Sequence, residues 1–506
     1  MPRRPEAAQA PWTTRVRAAY AAARFREAAA LYDRHAAGTA EIPADVVFVR
    51  ARIALDADPA SAVDLLLAHR AGFVQKADRL TAELLLGSSF AQLREFAAAD
   101  AHFERARTLL DRRSLVQSAA LAAARGRRYI CESRIGDAWR CYESTLVDVR
   151  TEGQIESERL KGEIHLAESR SGEAADSLLR LLALMQGNID AKLALWYRAV
   201  TQLAHLACEL PAPAAAAAAA DALAVRPSWS PDFAADRFQA LRALAWRKTL
   251  AGDRLGSFRY LREAGAVAEG LGSAPLRAIV LLDRAFFART AHEEHWCANE
   301  LAAATDLLRD VDWARAGVLE RTALPLFAEA LAASDPDAAA AAIARYFTLS
   351  RTFDPVATAA RGMVHFANGR TREAVRDLSA AYDEFDRLGS DWRAGKAALA
   401  LAHATAHARW QLLALEKLEF YASSWLYEQA ASLAVPPQSS GGSSLTPMQE
   451  RVFNMICEGL STDAIAARLG RSRSTVRNHL KLIFKALGVR SRSALVAKAA
   501  RSGRFT

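Results

Sequence analysis

One spacing recurs along this chain and limits how it can fold: a glycine, a ring residue at +3, an alanine at +12 and a large residue at +16. Gly87, Phe90, Ala99 and Phe103 fit it, as do Gly126, Tyr129, Ala138 and Tyr142. Gly162, His165, Ala174 and Leu178 follow, and far downstream Gly362, His365, Ala374 and Leu378 fit again. Small residues let two antiparallel helices approach closely, and the ring and the +16 residue fill the space between them. A helix pair of this kind cannot bury its apolar face alone, so neighbouring pairs stack into a solenoid. Leu and Ala dominate the sequence while Gly and Pro number only 25 and 16 in 506 residues. That composition favours helix over strand. The expected fold class is all-α.

The small residues Ala28, Ala62, Ala99, Ala138 and Ala174 step by 34, 37, 39 and 36. This period resembles that of tetratricopeptide repeats, whose unit is about 34 residues. The likeness is good over 15–180 and 355–410 and weak over 180–350, where only degenerate units such as Ala251–Ala264 can be traced. A helical bundle with coincidental spacing is the plain alternative. The expected repeat region is 1–434, with a lobe break at 226–231, where Arg226-Pro-Ser-Trp-Ser-Pro231 holds two prolines in six residues. Arrays of this kind bind peptides or protein segments, so the resemblance implies a sensor or docking region.

The net charge of +9 is not spread evenly. Residues 445–506 hold twelve Lys/Arg and three Asp/Glu, and the remaining 444 residues balance to zero. A positive field confined to one short segment is the footprint of a polyanion-binding module. Charge alone also fits a solvated basic tail. Cys131, Cys141, Cys208, Cys297 and Cys457 are scattered, odd in number and without a Cys-x-x-Cys pair, which argues against a disulfide framework and a zinc ribbon. The first twelve residues carry no apolar run behind their arginines, and no stretch reads as a membrane span. The expected setting is the reducing cytoplasm.

Residues 435–444, Val-Pro-Pro-Gln-Ser-Ser-Gly-Gly-Ser-Ser, cannot pack a core and read as a flexible linker. Beyond it Thr446, Pro447 and Gln449 set up a capping box, with Val452, Phe453 and Ile456 as an apolar stripe. Gly459 ends this helix, Ser461 caps a second over 462–469, and Gly470 turns the chain. Ser472 caps a third, with Val476, Leu480, Ile483 and Leu487 inward and Gly488 at its end, and a fourth runs over about 491–502. A short helix, a tight turn and a helix with a basic outer face make a helix-turn-helix. Arg473, Arg477, Asn478, Lys481 and Lys485 form that outer face. Arg477, Asn478 and Lys481 are placed to meet base edges in the major groove, where Arg suits guanine and Asn adenine. Lys485, Arg490 and Arg492 are better placed for phosphates, which position without specifying.

The run Leu445-Thr-Pro…Gly459-Leu-Ser…Ile465-Ala…Leu469…Ser472…Thr475-Val-Arg…His479-Leu…Leu487-Gly-Val…Arg492 resembles the LuxR-type (GerE-like) DNA-binding domain. The likeness covers about 60 residues, 445–506. It implies a four-helix module in which Arg477, Asn478 and Lys481 approach bases. Ser472, Arg473 and Thr475 sit near the backbone, and Leu495, Val496 and Ala499 on the last helix join two copies on double-stranded DNA. The chain departs from the family at Met448-Gln449, where Arg-Glu is usual, and at Arg471 and Ala486.

Other patterns point to chemistry less well. Gly389 to Lys396 imitates a phosphate-binding loop, but its glycines are five residues apart rather than four, and Ala397 stands where Ser or Thr would hold magnesium. The large MalT-like regulators, which combine helical repeats with this DNA-binding domain, carry an ATPase domain that this chain lacks. His292, His295 and Cys297 lie close in sequence, and His403 and His407 share a helix face, but Ala404 replaces the glutamate a zinc peptidase needs. No catalytic arrangement stands out, and neither cofactor nor metal is expected. The reading is a non-enzymatic transcription regulator whose repeats sense a ligand or dock a protein. The alternative is an interaction scaffold whose terminal module binds protein rather than DNA.

Overall fold

A computed structural model describes residues 11–433 and 445–495, apart from 40, 112, 146–150, 187–188, 211, 227–228, 351, 459, 470–472, 490–491 and 493–494. The described chain is all-α, with short 3-10 turns and no strand among the described residues. Its helices pair antiparallel in chain order: Lys76–Gln92 with Phe96–Leu109, Leu115–Cys131 with Ile135–Thr145, and Thr151–Ala167 with Ser171–Met185. The first helix of one pair packs on the first helix of the next, as in tetratricopeptide repeats.

One turn explains this regularity. Seven pairs are closed by three residues whose middle member is left-handed: Ala23, Arg94, Ser133, Ser169, Gly252, His292 and Gly369, with φ between 54° and 76°. In each, the third turn residue donates its N–H to a carbonyl five residues back, at 2.8–3.0 Å: Glu95 to Phe90, Arg134 to Tyr129, Arg170 to His165, Asp253 to Lys248. The middle residue donates to a carbonyl three back. This is the Schellman arrangement, which satisfies carbonyls that a helix end leaves orphaned. The ring at +3 is the residue that accepts the longer bond, so Phe90, Tyr129, His165 and His365 mark the last turn of each first helix.

The same turn closes two further pairs within 180–350, where the spacing fades. Ala234–Leu250 pairs with Arg254–Gly270 across Gly252, and Ala274–Thr290 pairs with Glu294–Leu308 across His292. Counting back from those turns, Ala245 and Ala285 replace the glycine, Lys248 and Ala288 the ring, and Ser257 and Cys297 the alanine. Ser257 and Cys297 are buried as the alanine would be.

The left-handed conformation costs an L-residue roughly 1–2 kcal/mol, and glycine escapes that cost while losing more entropy on folding. Five of the seven turns nevertheless use other residues. Ser133 is exposed and its side chain makes no described contact. Ser133→Gly is therefore expected to stabilise the protein by about 0.5–1 kcal/mol, read as a higher urea midpoint. An unchanged or lower midpoint would show that the turn is not strained.

The chain divides into two compact units, one of residues 1–320 with 387–389, the other of 321–386 and 390–506. Trp229 and Ser230, from the proline-flanked stretch 226–231, pack within the first unit. Trp229 stacks on Tyr197 at 4.4 Å, and the Ser230 hydroxyl donates to the Ala23 carbonyl at 2.7 Å. In the second unit Lys396, the lysine of the phosphate-loop imitation, sits in the helix Asp391–Thr405 and pairs with Glu329. His407 caps the next helix by accepting from the Arg409 N–H, and His295 bonds Asn299. No group of three His, Cys, Asp or Glu is poised to hold a metal among the described residues. No helix there is long and apolar enough to cross a membrane.

Candidate nucleic-acid interface

The terminal module begins where its cap directs. Thr446 accepts from the Gln449 N–H at 3.2 Å while Gln449 accepts from the Thr446 N–H at 3.1 Å, a reciprocal capping box with Pro447 at the first helical position. Replacement of the usual Glu by Gln449 leaves this geometry whole, and both residues are buried. The helix Pro447–Cys457 follows, then Thr462–Leu469, whose cap Ser461 accepts from the Ala464 N–H at 3.1 Å. The third helix is Arg473–Leu487, ended by Gly488 at φ +63°. These helices close over Leu445, Val452, Phe453, Ile456, Ile465, Val476, Ile483 and Leu495. Leu480 and Leu487 pack at the margin. His479 also turns inward and is buried, so the inner face of the third helix is broader than its aliphatic stripe.

Burying one face fixes the other. Arg477, Lys481 and Lys485 are exposed, four residues apart, and lie on one line along the helix. None forms an ion pair with a described residue, so the line presents uncompensated positive charge. Asn478 is also exposed, and Thr475 is half-buried near the start of the helix. Arg492, expected at a phosphate, donates to the Leu460 carbonyl and ties the segment after Gly488 to the first turn. Leu495, expected in a dimer contact, is fully buried in the module's own core. Ser472, Arg490, Val496 and Ala499 lie outside the described residues, as do the linker 435–444 and the side chain of Arg473.

Two acidic residues from the last repeat helices meet the module. Glu419 accepts from the Asn478 amide at 2.8 Å. Burial pushes the Glu416 carboxyl above the usual carboxylate range, partly countered by its hydrogen bond with Thr446 and the Lys417 charge. Sequence reading gave no sign of either contact, because Glu419 and Asn478 are 59 residues apart across the linker.

Comparison with known proteins agrees with this geometry. Residues 443–499 match the family described as bacterial regulatory proteins, luxR family. Candidate HTH-type transcriptional regulators of Mycobacterium bovis and Mycobacterium tuberculosis are 46% identical over 63 residues, 12% of this chain and 7% of theirs. One of Aeromonas salmonicida is 42% identical over 57 residues, 11% of this chain and 29% of its own. The chain thus spans only a small part of the relatives it matches. Among solved structures, the Cut9–Hcn1 assembly of the APC/C aligns over 96% of this chain and 95% of its own at 13% identity and TM-score 0.30. The P58(IPK) TPR domain aligns over 78% and 99% at 12% identity and TM-score 0.20. The repeat assignment rests on the chain's own helix pairs and turns. The buried cap, the inward Val476 and Ile483, the basic outer line and the family match agree in making residues 443–499 a helix-turn-helix domain of the luxR family of bacterial regulatory proteins.

Proposed function

We propose that the whole chain is a sequence-specific transcription regulator acting in the cytoplasm, in which Arg473–Leu487 enters the major groove of double-stranded DNA. Arg477, Asn478 and Lys481 read base edges. Ser472, Arg473, Thr475, Lys485, Arg490 and Arg492 hold the backbone, and Val496 and Ala499 take part in pairing two copies on the site, whereas Leu495 packs in the module's own core. The helical repeats supply the input, from a ligand or a protein partner. The observation that carries this reading is the exposed line Arg477–Lys481–Lys485 within a segment that holds the chain's whole net charge. Selection of bound fragments from random duplex DNA by the full chain tests it. Enrichment of one motif is expected. Failure to enrich any sequence at low salt would favour the module as a protein-binding device instead.

The Glu419–Asn478 contact supports a restraint on this reader. A carboxylate that holds the amide of Asn478 competes with adenine for it and adds repulsion toward DNA phosphates. Glu419→Ala is expected to tighten DNA binding by the full chain about three- to tenfold, given the modest worth of one charged hydrogen bond near solvent. Fluorescence anisotropy at fixed salt measures this. Glu428→Ala removes the same charge from an exposed position on the helix Trp425–Ser432. Equal gains from both variants would reduce the effect to net charge.

A further inference from the structure

We infer that the groove along the helix Arg254–Gly270 is the ligand site of the repeat region, and that it takes a small organic anion with an apolar body. The inference rests on the reading of the repeats as an input device. Two cavities of about 720 Å³ and 350 Å³ lie along this helix and meet at Ala266. Such volumes suit a single small molecule.

The larger cavity is lined mainly by one face of the helix. Leu255, Phe258, Arg259, Arg262, Gly265, Ala266 and Glu269 recur at three- and four-residue steps, the spacing of a single helical stripe. Gly265 and Ala266 make a low floor in the middle of it, and Val280 stands beyond Gly265. Apolar surface is left open around this floor: Leu255 is 87% exposed and Leu271 37%.

The polar lining is rich in groups that only donate. Trp229 and Arg237 line the smaller cavity, and their Nε1 and Nε atoms are shut off from solvent without a hydrogen-bond partner among the described residues. Indole and guanidinium have no acceptor, so any group that meets these side chains from the cavity must bring one. At the larger cavity Arg284 is already paired with Glu300 at 2.5 Å. Arg262 forms no ion pair or hydrogen bond with a described residue, and Arg259 lies over the Tyr260 ring at 5.2 Å. Glu263 and Glu269 also line the groove. Glu263 faces Arg237 at 3.9 Å, which leaves Arg259 and Arg262 against Glu269, an excess of one positive charge. A carboxylate satisfies both needs, because it brings acceptor oxygens and a negative charge. The exposed leucines and Phe258 accept its apolar body.

Titration of the full chain with decanoate, followed by calorimetry, tests this. Decyltrimethylammonium serves as the control of equal apolar length and opposite charge. Saturable decanoate binding is expected, about tenfold weaker in Arg262→Ala as one charge-assisted contact is lost. It should be abolished in Ala266→Trp, which fills the floor from an exposed position. Helical circular dichroism checks that both variants fold. Absence of decanoate binding, equal binding of the cation, or binding indifferent to both variants would overturn the site. The selected DNA fragment is then titrated with and without decanoate. Decanoate that binds but leaves DNA affinity unchanged upholds the site while removing its role as input. Decanoate that does not bind removes the site and leaves the DNA reading standing on its own assay.

Discussion

Arg477→Ala is expected to erase about 1–3 kcal/mol of discrimination between the selected site and mixed-sequence duplex, roughly ten- to a hundredfold. The argument is geometric. Val476 and Ile483 bury one side of the third helix, so Arg477, Asn478 and Lys481 point away from the core on its N-terminal half. That half meets base edges when such a helix lies in the major groove. A guanidinium there can hold guanine through two parallel bonds, and no shorter side chain replaces both. Lys481→Ala should act in the same sense and less strongly, because an ammonium has no fixed fork. Lys485→Ala should behave differently. One turn further along the same line, it is proposed to meet phosphate, so its loss should weaken specific and mixed-sequence DNA alike. It should also lower the slope of log affinity against log salt by about one. Anisotropy titrations on both duplexes across a salt series separate the two behaviours. If Arg477→Ala left site choice and affinity untouched, the third helix would not be the reader.

The described part of the terminal module was legible because its boundaries have local causes. Thr446 with Gln449, Ser461 and Gly488 act within a few residues of themselves, and the inward Val476, Leu480, Ile483 and Leu487 follow from helical period alone. Leu495 shows the limit. The family resemblance assigns it to a dimer contact, while the structure puts it in the module's own core, and both assignments need only an apolar face. The repeat region was legible where glycine marks it. Between 234 and 308 the backbone keeps the same turns, but alanine replaces glycine at Ala245 and Ala285, and His292 holds a left-handed turn where glycine is the usual mark. Alanine is too common in this chain to carry a signal. The Glu419–Asn478 contact was beyond sequence reading for another reason: it depends on tertiary placement, and neither residue is unusual for its own helix.

Gly87→Ala and Gly362→Ala are expected to destabilise the protein by about 1–2 kcal/mol each, against the usual preference of a helix for alanine. A methyl group at Gly87 would sit 2.5–2.9 Å from the Phe103 ring, and one at Gly362 would sit 2.7 Å from the Leu378 side chain. Phe103 and Leu378 are the +16 residues of the sequence pattern, and both are almost wholly buried. They have nowhere to retreat, so overpacking of about 1–3 kcal/mol outweighs a propensity gain of up to about 1 kcal/mol. Not every glycine of the pattern does this work. A methyl at Gly126 would strike Leu160 of the next pair at 2.7 Å, whereas one at Gly162 would make ordinary contact with Ser177 at 3.5 Å. Gly162→Ala should therefore be near neutral. Gly172, in the first turn of Ser171–Met185, has nothing within 4 Å, so Gly172→Ala should stabilise by about 0.5 kcal/mol. Urea midpoints read by circular dichroism order the four variants. Destabilisation by Gly172→Ala as large as by Gly87→Ala would mean that close helix approach is not what these glycines provide. The coupling can be checked directly. Phe103→Leu gives up packing of its own but frees space beside Gly87, so the double variant should lose less stability than the two single losses added together.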